Sequence, residues 1–169
     1  MFVLLNGPLG IGKSTLAEAL GEEIEGCVTL SGDALAAINP PQADETAQVH
    51  AAMAALVAHH WAGGYRHFVI EHYWPTVHAL ADIAEHLLEI APGEPVHCFR
   101  LVLQEKESRN RIARRQEARA IDDRAFEWES FSKEYALLSH AGDSLGQPFD
   151  VSGPVDLLVA RMLRLLGLG

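Results

Sequence analysis

Short apolar runs punctuate the chain at 2–6, 27–31, 67–71, 96–103 and 149–152, separated by longer stretches whose apolar residues recur at helical spacing. Apolar runs alternating with helical stretches predict a parallel sheet covered by helices on both faces. The intervening stretches predict helices at 13–25, 44–62, 76–90, 105–120, 123–140 and 155–166. Gly63-Gly64 and Pro92-Gly93 close two of these helices, and Pro154 opens the last. No internal repeat or low-complexity linker interrupts the alternation.

The first run leads directly into Gly7-Pro8-Leu9-Gly10-Ile11-Gly12-Lys13-Ser14, followed by Thr15. This is a complete G-x-x-x-x-G-K-[ST] phosphate-binding loop set between a strand and a helix. Its glycines let the backbone curl so that successive N–H groups face one concavity, and the helix start adds partial positive charge. Lys13 brings a full charge to the terminal phosphates, and the Ser14 hydroxyl is placed to bind Mg²⁺. The expected ligand is therefore a polyphosphate with Mg²⁺, held by residues 7 to 15.

Composition narrows the setting. A chain of 169 residues with 49% hydrophobic content suits one domain with one core. A net charge of −10 speaks against nucleic acid as the main ligand. The chain enters a strand without a basic leader, and no apolar run approaches the ~20 residues of a membrane span, so a cytoplasmic protein is expected. The apolar 155–168 segment carries Arg161 and Arg164 and fits a docked core helix better than a membrane-surface one.

Ligands of open parallel sheets sit at the carboxyl ends of the strands. There the second run delivers Asp33, a candidate general base that would accept the proton of an acceptor hydroxyl; the alternative is a helix cap. The third run ends in Glu71, a candidate holder of Mg²⁺ together with Ser14. His72, Tyr73 and Trp74 follow and could floor an acceptor pocket, or simply pack. The 36–48 stretch, expected to be the acceptor-side loop, carries Asp44 and Glu45 and no cation, which disfavours an acceptor bearing several negative charges.

Seven of the 13 Lys and Arg crowd into 104–124: Lys106, Arg109, Arg111, Arg114, Arg115, Arg119 and Arg124. Such concentration in an acidic chain suggests arginines gathered over an anion, with bidentate donors for a transferring phosphoryl group. The alternative is a solvated helix with Glu105–Arg109 and Glu107–Arg111 pairs.

Taken together, the phosphate loop, Ser31-Gly32-Asp33-Ala34-Leu35 and Arg109-Asn110-Arg111-Ile112-Ala113-Arg114-Arg115 resemble the P-loop small-molecule kinases, the group of gluconate kinase, shikimate kinase and chloramphenicol phosphotransferase. That resemblance implies a three-layer α/β/α sandwich with a five-stranded parallel sheet of order 2-3-1-4-5. Cys27 and Cys98 would then lie on strands that are not neighbours, which disfavours a disulfide. It also implies that Asp33 contacts or deprotonates the acceptor, that Arg111 covers the adenine, that Arg115 reaches the phosphates, and that 150–154 lies against the adenine. The expectation is one domain, 1–169, with an arginine-rich lid at about 104–124, acting as a monomer or homodimer. It would transfer the γ-phosphate of ATP to a hydroxyl of a small neutral molecule, with Lys13, Asp33, Arg111 and Arg115 catalytic. The alternative is a nucleotide-binding NTPase or switch without such an acceptor; Asn-Lys-x-Asp, the guanine-reading motif, is absent.

Overall fold

Strand β1 (Phe2–Asn6) is buried along its whole length, because it runs down the middle of the sheet and meets helices on both sides. The computed structural model describes residues 1–35, 45–116 and 121–169, without the side chains of 115–126. Around β1 stand β2 (Cys27–Ser31), β3 (His67–His72), β4 (Val96–Val102) and β5 (Gln147–Asp150), all parallel, in the order β2-β3-β1-β4-β5. The 2-3-1-4-5 order expected from the sequence is the order observed.

The helices are α1 (Lys13–Glu23), α2 (Gly32–Leu35), α3 (Glu45–Ala62), α4 (Val77–Ile90), α5 (Glu105–Gln116), α6 (Ile121–His140) and α7 (Val155–Leu165). Alternate residues of β1 feed two cores. Val3 and Leu5 join Leu16 and Leu20 of α1 with Leu158, Val159 and Met162 of α7, while Phe2 and Leu4 join Met53 of α3 and Ile83 and Leu87 of α4. Each such fully buried Leu or Phe stabilises the fold by about 1.5–3 kcal/mol. Thr76 caps α4 by accepting the Ala79 N–H at 3.1 Å.

Several boundaries differ from expectation. Strand β5 starts two residues earlier than predicted and contains Pro148, which an edge strand tolerates because one side of its backbone needs no ladder bond. A 3₁₀ turn at Gly142–Leu145 precedes it. Glu45 to Gln48 belong to α3 rather than to a loop, and the remainder of the expected acceptor-side loop, 36–44, lies outside the described residues. The free thiols Cys27 and Cys98 sit on β2 and β4, with β3 and β1 between them. Burial raises both, Cys98 to about 12.

Candidate active site

Helix α1 starts without a side-chain cap. Gly12, in the left-handed region at φ 105°, turns the chain into it, and the first amides of the helix are left for an external anion. Gly10 is needed twice over: its φ is 75°, and a Cβ there would stand 2.5 Å from Cγ1 of buried Ile112. Helix α5 thus packs directly on the loop.

A cleft of about 540 Å³ opens over this turn, lined by Gly10 to Thr15, Asp33, Arg111, Val151 and Gly153. Lys13 is only 6% exposed and folds back over the loop, its Nζ donating to the Pro8 carbonyl at 3.3 Å. Arg111 bridges the two walls of the cleft. Its Nη1 donates to the Ile11 carbonyl at 3.1 Å, and its Nη2 donates to the Val151 carbonyl at 2.9 Å and to Glu107 at 3.1 Å. Val151 belongs to the turn after β5, which Asp150 tightens by accepting the Ser152 N–H and hydroxyl.

The expected arginine cluster therefore divides. Arg111 reaches the loop, whereas Arg109 pairs with Glu105 at 2.7 Å and lies 5.6 Å from the Trp128 and Phe131 rings. Both Glu–Arg pairs foreseen as the alternative exist, and one of them coexists with a place at the cleft. Arg114 is exposed. The side chains of Arg115, Arg119 and Arg124 lie outside the described residues.

Register brings the acids in. Ser31 of β2 pairs with Glu71 of β3, and Oε1 of Glu71 accepts from the Ser31 hydroxyl at 2.5 Å and from the Ser14 hydroxyl at 3.1 Å. Glu71 is 1% exposed, and its Oε2 is buried with no hydrogen-bond partner among the described residues. An orphaned carboxylate oxygen beside a loop hydroxyl is the donor set that suits Mg²⁺ bound through one protein carboxylate and substrate phosphates. The residues fit the ion.

Asp33 stands in the first turn of α2, its carboxylate 3.3 Å from Nδ1 of His72. Gly32 makes that approach possible, since a Cβ there would lie 2.4 Å from the same Nδ1. Of the two readings open for Trp74, packing is the one observed. The residue is fully buried, its backbone N–H donates to Asn6 Oδ1 at 3.0 Å, and its indole N–H donates to His50 Nε2 at 3.0 Å. His50 in turn meets Asp82 at 2.6 Å. The wide, amphipathic ring serves as the link between β1 and α3 rather than as a stacking platform. His72 packs edge-on against it at 5.5 Å, and half-buried Tyr73 has its phenol raised by burial and by Glu134.

Two contributors have no role assigned from sequence. Ser31 opens the motif that contains Asp33, but register alone reveals its contact with Glu71. Glu134, on α6, accepts the Leu9 N–H at 2.6 Å, and no motif marks it.

An uncapped helix start behind a glycine loop, with its lysine and a buried acid on the neighbouring strand, defines a P-loop protein with the fold of the small-molecule kinases. The chain belongs to the AAA domain family, whose model matches residues 2–135. Among solved structures it is similar to a tunicamycin resistance protein from Deinococcus radiodurans (15% identity, TM-score 0.72, 99% of this chain and 96% of that one). It is also similar to a gluconokinase from Sinorhizobium meliloti 1021 (20%, 0.63, 98% and 94%) and to a shikimate kinase from Bacteroides thetaiotaomicron (13%, 0.63, 99% and 99%). No curated protein matches the sequence. Among the described residues no helix is long and apolar enough to cross a membrane.

Proposed function

We propose that the chain is an ATP-dependent phosphotransferase acting on a hydroxyl of a small molecule, with residues 1–169 as one kinase-like unit and 104–124 as its lid. The observation that carries this reading is that Asp33 lines the same cleft as Gly12, Lys13 and Ser14. Glu71 already supplies a carboxylate toward the ion, so a second one across the cleft from the phosphate loop suits a group that must lose a proton.

In this reading the loop amides and Lys13 hold the terminal phosphates, and Ser14 and Glu71 hold Mg²⁺. The ion supplies charge neutralisation across the phosphates when bound. The acceptor hydroxyl gives its proton to the Asp33 carboxylate, which His72 orients, as its oxygen forms the new bond to the γ-phosphorus. The bond from that phosphorus to the bridging oxygen breaks and ADP departs. Arg111 holds the nucleotide between the loop and the turn after β5, and Arg115 is the second lid arginine. Acids near the acceptor side favour a neutral or cationic alcohol, and the gluconokinase and the tunicamycin resistance protein among the structural neighbours suggest which alcohols to try first.

The test is transfer of labelled γ-phosphate from ATP to a panel of sugars, nucleosides and antibiotic-type alcohols, with Lys13→Ala as the inactive control. Phosphorylation of one alcohol by the wild type alone is the expected result. Tight ATP binding without transfer to any alcohol favours a nucleotide-driven NTPase or switch, and overturns the proposal.

A further inference from the structure

Glu134 stands outside every role assigned so far. It projects from α6, and its Oε2 accepts the backbone N–H of Leu9 at 2.6 Å. Leu9 lines the cleft and lies in the phosphate loop, whose amides converge on phosphate oxygens. An internal carboxylate thus takes one of the positions that an external anion would take. Burial is the main influence on Glu134 and raises its carboxyl; Asp33 adds to this, while the Leu9 N–H, Lys13 and His72 act against it. Holding a partly desolvated carboxylate beside a second acid is unfavourable. A loop brace alone would be served better by a neutral acceptor.

We infer that Glu134 is a built-in phosphate surrogate, occupying the outer amide of the loop until the terminal phosphoryl group of a nucleoside triphosphate displaces it. The inference rests on the nucleotide reading above. The first amides of α1, at Lys13 to Thr15, hold the inner phosphates, so the amide at the other end of the loop, Leu9, faces the last one. A diphosphate ends short of it. Glu134 therefore opposes triphosphate and leaves diphosphate alone, and displacing it breaks one tie between the loop and α6, whose Tyr135 also donates to the Leu103 carbonyl at 3.0 Å. The residue sets the preference between substrate and product nucleotide.

The experiment is calorimetric titration of wild type, Glu134→Gln and Glu134→Ala with a nonhydrolysable ATP analogue and with ADP, both with Mg²⁺. Removing the like charge is expected to tighten the analogue by about tenfold and to change ADP by less than about twofold. Glu134→Gln keeps the shape and the accepting oxygen, so it carries the comparison even where the alanine variant does not fold. An unchanged ratio of the two affinities in Glu134→Gln, or equal weakening of both, overturns the inference and makes Glu134 a brace. Failure of the wild type to bind either nucleotide overturns the nucleotide reading instead.

Discussion

Ser31 and Glu71 face each other across neighbouring strands, and the Ser31 hydroxyl donates at 2.5 Å to the same carboxylate oxygen that accepts from Ser14. Both bonds fall on that one oxygen, and Oε2 of Glu71 has no partner among the described residues. Removing Ser31 frees the carboxylate to rotate. Ser31→Ala is expected to raise the Mg²⁺ concentration needed for half-maximal nucleotide binding by about tenfold, the range for groups that orient a metal ligand, and Glu71→Gln by more. Magnesium titration of analogue binding measures both. Identical midpoints in the variants would remove Glu71 from the metal site.

Asp33 and His72 form the second pair. Asp33→Asn keeps the size of the side chain and loses its basicity, so nucleotide affinity should stay within about twofold while transfer falls by about 10²–10⁴, the usual contribution of a general base. Phosphate transfer and analogue binding, measured on the same preparation, separate the two effects. Normal transfer in Asp33→Asn would sink the base assignment.

Arg111 ties the loop to the turn after β5 through the Ile11 and Val151 carbonyls. Hydrogen bonds from a charged donor contribute about 1.5–3 kcal/mol each, and part of that is recovered by water in the open cleft. Arg111→Ala should weaken ATP-analogue binding by about tenfold. Arg111→Lys should restore little, because a point charge cannot span both carbonyls. Rescue by lysine would show that charge alone matters.

His50 gives the fold an acid sensitivity. Its Nε2 accepts the Trp74 N–H and its Nδ1 meets Asp82, an arrangement that requires the neutral ring. Burial lowers the His50 pKa below its ordinary 6.5, and His72 and His86 push the same way, while Asp82 opposes them. In the unfolded chain the ring takes its proton near 6.5, whereas in the folded protein it resists. Stability is therefore complete above 6.5 and is lost as the pH falls from there toward the lower folded value. Asp82, lowered by His50, adds a separate loss only below 3.8. The melting temperature should fall as the pH drops below 6.5 in the wild type and stay flatter in His50→Gln. A flat wild-type profile would exclude His50 as the cause.

The chain order of elements, the phosphate loop and its lysine were legible from residues alone, because each depends on local pattern: apolar runs of strand length, glycines where the backbone must curl, and a helix behind them. Resemblance to a known group supplied the strand order. Three-dimensional placement decided the rest. From sequence Trp74 could floor a pocket or pack, and its hydrogen bonds to Asn6 and His50 decide for the core. Arg109 and Arg111 share the same i,i+4 glutamate pattern and only resemblance sets Arg111 apart; helix packing is what carries Arg111 to the loop and Arg109 to the rings of α6. Glu134 carries no motif and the motif containing Ser31 does not name its partner, since Leu9 and Glu71 are distant in the chain and become neighbours through the docking of α6 and sheet register. Sequence determined what could bind phosphate; tertiary structure decided which acids and which arginine meet it, because those contacts join segments that no local pattern connects.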